Sequence, residues 1–190
     1  MKSALKILAF CLIMGTVSGA LLVGINAWTS VRINKYEEMQ LKSSVLDALE
    51  IPYAENNIID VFKANVNVIE KDKKTIYKGK DDAIAFEFKG SGVWGEIYGI
   101  ISLNPDLVTI RSVKIIHQEE TPGLGSRIAD KEYLNLFKDK LIFPELVFVP
   151  AGKAKEDNEV DIITGATYSS KALEKILNRA ISDVIVLMKQ

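Results

Sequence analysis

The segment Gly90-Ser91-Gly92-Val93-Trp94-Gly95-Glu96-Ile97-Tyr98-Gly99-Ile100-Ile101-Ser102-Leu103 decides the fold. Its first six residues match G-x-G-x-x-G literally and follow an extended stretch, Ile84/Phe86/Phe88, which is the setting of a dinucleotide-binding turn. Such a turn needs a helix directly behind it, whose N-terminal amides receive the phosphates. Here the residues from Glu96 to Leu103 are strand-like instead, rich in isoleucine with an aromatic Tyr98. Two strands joined by a glycine-rich turn form a hairpin, and the doubly wound reading is rejected.

Outward from this hairpin the pattern stays extended. Val66/Val68 and Val113 to Ile116 read as further strands, and a short strand is expected around Leu146 to Val149. A short helix is expected from Lys131 to Lys140, and the polar stretch Gly152 to Glu159 reads as a surface loop. The clearest helix is the last one, where Ala172, Leu173, Ile176, Leu177, Ala180, Ile181, Val184, Ile185 and Met188 form one apolar stripe. That stripe is expected to pack on the sheet. The fold class is therefore α+β, a mixed, largely antiparallel sheet with packed helices.

Ahead of this domain, residues 7 to 31 are uncharged, and the apolar run from Ile7 to Trp28 is long enough to cross about 30 Å of hydrocarbon as a helix. A cleaved signal peptide is the competing reading, with Lys2 and Lys6 as its basic start and Ser18-Gly19-Ala20 as small residues at a cleavage point. The run continues past that point through Leu21, Leu22, Val23 and Ile25 to Trp28, an interfacial anchor, which favours a single transmembrane helix. Lys2, Lys6 and the amino terminus precede it, whereas Arg32 and Lys35 are diluted by Glu37 and Glu38. The positive-inside bias then puts the N-terminus in the cytoplasm and the domain on the outer, periplasmic or extracellular, side. Residues 33 to 50 have helical spacing until Pro52, so the expected organisation is an anchor over 1–31, a helical stalk over 32–51 and a domain over 52–190.

Composition removes several classes of function. Among 190 residues, 24 basic and 25 acidic side chains leave a net charge of -1, which gives no general electrostatic reason to bind nucleic acid. One cysteine, Cys11, and one histidine, His117, are too few soft ligands for a structural zinc or an iron–sulfur site. Redox chemistry in this chain needs an organic cofactor.

Two motifs fit one. Asp161-Ile162-Ile163-Thr164-Gly165-Ala166-Thr167 ends at the start of the last helix. Unpaired amides and the positive end of the helix dipole favour an anion there, and Gly165 lets the backbone come close. On spacing alone, Thr167 reads first as a plain helix cap after a turn. The second motif, Glu119-Glu120-Thr121-Pro122-Gly123-Leu124-Gly125, combines a fixed proline angle with two permissive glycines and can wrap a flat ring, although an ordinary Pro-Gly turn has the same composition. Trp94, on the glycine-rich turn, reads either as a stacking partner for such a ring or as a core tryptophan.

The tail motif resembles the Asp-x-x-Ser/Thr-Gly-Ala-Thr signature of FMN-binding domains modified by a flavin transferase, and Glu120 to Gly125 resembles the Glu-Thr-Pro-Gly-Leu-Gly loop of the same family. With the N-terminal helix and the Trp94 hairpin, the order of parts is similar to the G subunit of Rnf complexes and the C subunit of sodium-translocating NADH:quinone reductase. The resemblance implies FMN joined by a phosphoester to Thr167. It implies phosphate seating by Thr164 and Gly165, cofactor binding also by the motif residues Asp161 and Ala166, and ring contacts from Trp94, Glu120, Thr121 and Leu124. It further implies an electron-transfer subunit of a membrane-bound ion-translocating oxidoreductase, matured by a flavin transferase and partnered by the other subunits. A standalone surface carrier and a flavin-free structural adaptor remain the alternatives.

Overall fold

A computed structural model describes residues 2–72 and 74–188. The chain divides into two compact units, Met1–Met39 and Gln40–Gln190. The first belongs to helix α1, Lys2–Ala48, which is long and apolar enough to cross a membrane. Its apolar side chains, among them Leu8, Phe10, Leu21, Leu22 and Trp28, face outward. Its hydroxyls bond their own backbone: Thr16 Oγ1 donates to the Leu12 carbonyl at 2.7 Å and Thr29 Oγ1 to that of Ile25 at 2.8 Å. A helix so arranged leaves few polar groups in need of water.

The second unit is built on a sheet of β1 (Val66–Lys71), β2 (Lys74–Gly79), β3 (Ile84–Ser91), β4 (Glu96–Leu103) and β5 (Ile110–Gln118). They lie in that spatial order and every pair is antiparallel, as the hairpin reading requires. The last pair of the β3–β4 ladder is Ser91 with Glu96, so residues 92–95 form the tip. There the Gly92 N–H donates to the Gly95 carbonyl at 2.7 Å.

Strand alternation gives the sheet two apolar faces. On one, Ile84, Phe86, Phe88, Ile97, Ile101 and Val113 join a core with α4, Thr167–Met188, the C-terminal helix. The stripe foreseen for α4 supplies Leu173, Ile176, Leu177, Ala180, Ile181, Val184 and Ile185 to that core. On the other face, Tyr77, Ala85 and Ile100 lie beneath residues 40–48 of α1 and helix α2, Ile58–Asn65. Val45, Leu46, Ala48, Leu49, Ile58 and Phe62 are buried, Ser102 Oγ donates to the Ala48 carbonyl at 2.6 Å, and the Phe62 and Tyr77 rings meet edge-on.

The segment expected as one helix over 131–140 is broken. Preceded by a 3₁₀ turn at Gly125–Ala129, it consists of the four-residue α3 at Lys131–Leu134 and a second 3₁₀ turn at Asn135–Phe137. The cause lies beside β5, where the Ile110 N–H donates to the Lys140 carbonyl and the Asp139 N–H to that of Ile110. Continuing the helix would give up both bonds. The expected strand near 146–149 is β6, Val147–Val149, and after the 152–158 loop β7, Glu159–Asp161, pairs with it in parallel.

Candidate functional site

The three segments singled out in the sequence meet at the N-terminus of α4. Ala166 is buried in the core and its N–H donates to the Ile163 carbonyl at 2.9 Å, which closes the turn ahead of the helix. Gly165, at φ +85°, takes the left-handed conformation this turn demands. Ser170, fully buried, donates its own N–H to the Ala166 carbonyl at 2.9 Å and accepts the Ile163 N–H on its hydroxyl at 3.1 Å. The amides of Thr167, Tyr168 and Ser169 precede that first helical bond, so they have no carbonyl within the helix to reach. Thr167 and Thr164 are exposed beside them.

The loop 120–125 lies against this helix start. A Cβ placed on Gly165 would touch Leu124 Cδ2 at 3.6 Å, and one on Gly125 would meet Ser169 Oγ at 2.5 Å. The loop's own turn is closed by Leu124 and Ser126 N–H groups donating to the Thr121 carbonyl, at 3.2 and 3.1 Å. Gly123, at φ +74°, faces open space.

Glu120 joins the parts. Its side chain is 4% exposed, and its Oε1 accepts the Val93 N–H at 2.7 Å and the Trp94 N–H at 3.3 Å. Its Oε2 accepts the Ser169 hydroxyl at 2.6 Å. The Glu120 N–H is in turn held by Gln118 Oε1 at 2.7 Å. The glycines of the hairpin tip follow from this. A Cβ on Gly92 would strike the Glu120 carboxylate, and one on Gly95 would strike Glu119. The literal G-x-G-x-x-G thus makes room for two glutamates, with no helix behind it.

Asp161 has a local task. Its Oδ1 accepts the N–H groups of Lys153 and Ala154, both at 3.0 Å, and the Ala154 bond is the largest of the influences that hold its carboxyl below the ordinary aspartate range. It therefore fixes the 152–154 loop beside the motif.

Around the helix start stand side chains that a solvent-facing surface would not select. Trp94 is 74% exposed, Leu124 50% and Tyr168 81%, with Val93 also out in solvent. The core alternative for Trp94 is thereby excluded. An exposed hydroxyl beside unpaired amides suits a phosphate, and exposed aromatic and aliphatic groups near it suit a flat, partly apolar ring. This residue set fits FMN. Sequence reading passed over Ser169, Ser170, Tyr168, Val93 and Gln118. Two adjacent serines one turn ahead of Leu173, on the line of the apolar stripe, are the signal that could have found the first pair.

Comparison with known proteins agrees with this geometry. Residues 92–182 match the FMN-binding domain family. The chain is 29% identical over 122 residues to the C subunit of the Na(+)-translocating NADH-quinone reductase of Haemophilus ducreyi, covering 59% of this chain and 47% of that protein. It thus spans about half the length of the quinone-reductase relatives it matches. Similarity to the G subunit of the ion-translocating oxidoreductase complex of Methanosarcina acetivorans is 26% identity over 191 residues, covering 96% of this chain and 95% of that one. The crystal structure of the C subunit of the Na(+)-translocating NADH-quinone reductase from Parabacteroides distasonis shares the fold, with a TM-score of 0.71 and 22% identity over 80% of this chain and 94% of the other. Hairpin tip, the 120–125 loop and the first turns of α4 all fall inside the residues that match the FMN-binding domain family.

Proposed function

We propose that this chain is the membrane-anchored electron-transfer subunit of an ion-translocating oxidoreductase complex, carrying FMN as a phosphoester on Thr167. The observation that carries the reading is the exposed Thr167 hydroxyl on the first residue of a 22-residue helix, within an FMN-binding domain. Similarity runs end to end with a G-type relative but over only half the length of the C-type relatives, which supports the G type.

In attachment, Thr167 Oγ forms a bond to the FMN phosphorus of FAD, the pyrophosphate bond breaks, AMP leaves and the hydroxyl proton is released. A flavin transferase performs the step. The amides of Thr167, Tyr168 and Ser169 and the helix dipole would hold the phosphate, with Thr164 and Gly165 seating it. Trp94 and Leu124 would flank the ring, and Thr121 would be a further polar neighbour. Bound FMN supplies one- and two-electron transfer, and the protein sets its position and surroundings. Helix α1 anchors the protein with its N-terminus in the cytoplasm and the FMN domain on the outer side, which the charges at Lys2 and Lys6 support.

The test is to produce the chain together with a flavin transferase, denature it on a gel and image flavin fluorescence. The expected band is lost in Thr167→Ala. A dark wild-type band sinks covalent attachment, and a band surviving in the variant moves it to another residue. Purification from native membranes separates the alternatives. Co-eluting redox subunits support the complex, a lone flavinylated chain supports a free carrier, and a flavin-free complex supports an adaptor.

A further inference from the structure

We infer that Glu120 is a positioning residue for the flavin ring, a buried strap that ties the Trp94 hairpin to the helix bearing Thr167. The inference rests on the FMN-on-Thr167 reading, yet its structural half concerns the protein alone. One carboxylate accepts hydrogen bonds from two segments distant in sequence, the tip at Val93 and Trp94 and the helix at Ser169. Oε1 serves the tip and Oε2 the helix, so both segments are fixed through one rigid group. Trp94 projects into solvent, so where its ring stands is decided by the backbone bonds beneath it.

Ser169 lies two residues beyond Thr167, on the same first turn of α4. Hence the strap relates the attachment point to the indole. Gly92 and Gly125 both border the carboxylate, leaving it room to be buried between the loops. Without it, the tether would still hold the flavin, but the indole would have no fixed place relative to it. Attachment and ring environment are then separable properties of the site.

The chemistry of glutamine sharpens the test. In Glu120→Gln, the side-chain carbonyl still accepts from Val93 and Trp94, while the amide donates to Ser169 Oγ, whose hydroxyl turns to accept. Geometry is kept and the negative charge is lost. Glu120→Ala removes both, and Ser169→Ala removes only the bond to the helix.

The full-length chain in detergent, with and without co-produced flavin transferase, is measured three ways. Denaturing-gel fluorescence reports attachment, visible circular dichroism reports the surroundings of the attached ring, and amide exchange reports the Val93 and Trp94 N–H groups. All three variants are expected to retain the fluorescent band. Glu120→Ala should flatten the flavin dichroism and speed exchange at Val93 and Trp94 about tenfold, as loss of a charge-assisted hydrogen bond implies. Ser169→Ala should weaken the dichroism partially, and Glu120→Gln should restore both signals. Wild-type dichroism and exchange in Glu120→Ala overturn the strap. So does a folded Glu120→Gln that fails to rescue, because charge rather than position would then carry the effect. If Glu120→Ala does not fold, unchanged dichroism in Ser169→Ala overturns it instead. If the wild-type chain takes no flavin, the Thr167 reading fails, and exchange in the flavin-free chain still decides whether the strap exists.

Discussion

Gly92 and Gly125 are glycines for lack of space, since a side chain at either meets the Glu120 carboxylate, and at Gly125 also Ser169. Gly92→Ala or Gly125→Ala therefore forces the carboxylate from its bonds, and a loss of about 1–3 kcal/mol is expected from overpacking. Chemical denaturation of the full chain, with the midpoint falling at constant slope, checks it. Gly123→Ala offers the contrast, because its Cβ meets open space and only its φ of +74° resists substitution. A second residue-scale expectation concerns pH. The Ala154 and Lys153 N–H groups hold the Asp161 carboxyl below its ordinary range. Depression of a carboxyl in the folded state means that the stabilisation is present above the unfolded value near about 3.9, and is lost as pH falls through the lower folded value. Amide shifts of Lys153 and Ala154 should accordingly stay constant from neutral pH down past about 4 and move together only at lower pH. A transition of those two amides above about pH 5 would contradict the assignment.

At the scale of elements, α4 does two jobs, closing one face of the sheet and presenting Thr167 at its start. Leu173 lies fully buried two turns from Thr167. Leu173→Ala should destabilise the domain by about 2–5 kcal/mol through the cavity it leaves, while flavin attachment in the folded fraction persists. A thermal melt followed beside gel fluorescence separates the two effects. This helix was legible in the sequence because its stripe repeats at helical spacing along its length, and β3, β4 and β5 were legible from their β-branched and aromatic runs. The hairpin was legible only by its second half, since the glycine pattern alone pointed to a nucleotide fold. Strand β2 escaped because Lys74, Lys78 and Gly79 dilute its apolar residues and its pairing with β1 is what makes it extended. The 131–140 segment misled because its helical composition is overridden by backbone bonds from the Asp139 N–H to the Ile110 carbonyl and from the Ile110 N–H to the Lys140 carbonyl, long-range contacts that no local window contains. In the site, Thr167 and the 120–125 loop were legible as motifs. The inward role of Glu120 was not, because it depends on which way the carboxylate points after the chain has closed.

For the whole molecule, the apolar anchor and the domain do not divide where the sequence suggested. A stalk ending at 51 would leave the domain whole from residue 52, yet residues 40–48 of α1 belong to the compact unit. Val45, Leu46, Ala48 and Leu49 are buried, and Ser102, itself fully buried, spends its hydroxyl on the Ala48 carbonyl. Removing them uncovers the sheet face carrying Tyr77, Ala85 and Ile100 and leaves the Ser102 hydroxyl with the Ser112 carbonyl alone, at 3.3 Å. Full burial of a Val or Leu side chain contributes about 1.5–3 kcal/mol, so three of them approach the whole stability of an ordinary domain. A fragment spanning 40–190 should therefore remain folded and accept flavin from the transferase, whereas a fragment spanning 52–190 should be molten or insoluble. Near-ultraviolet circular dichroism of the two fragments decides it. Equal, native-like spectra would mean that the end of α1 only rests on the sheet, and the boundary of the folding unit would return to the proline at 52.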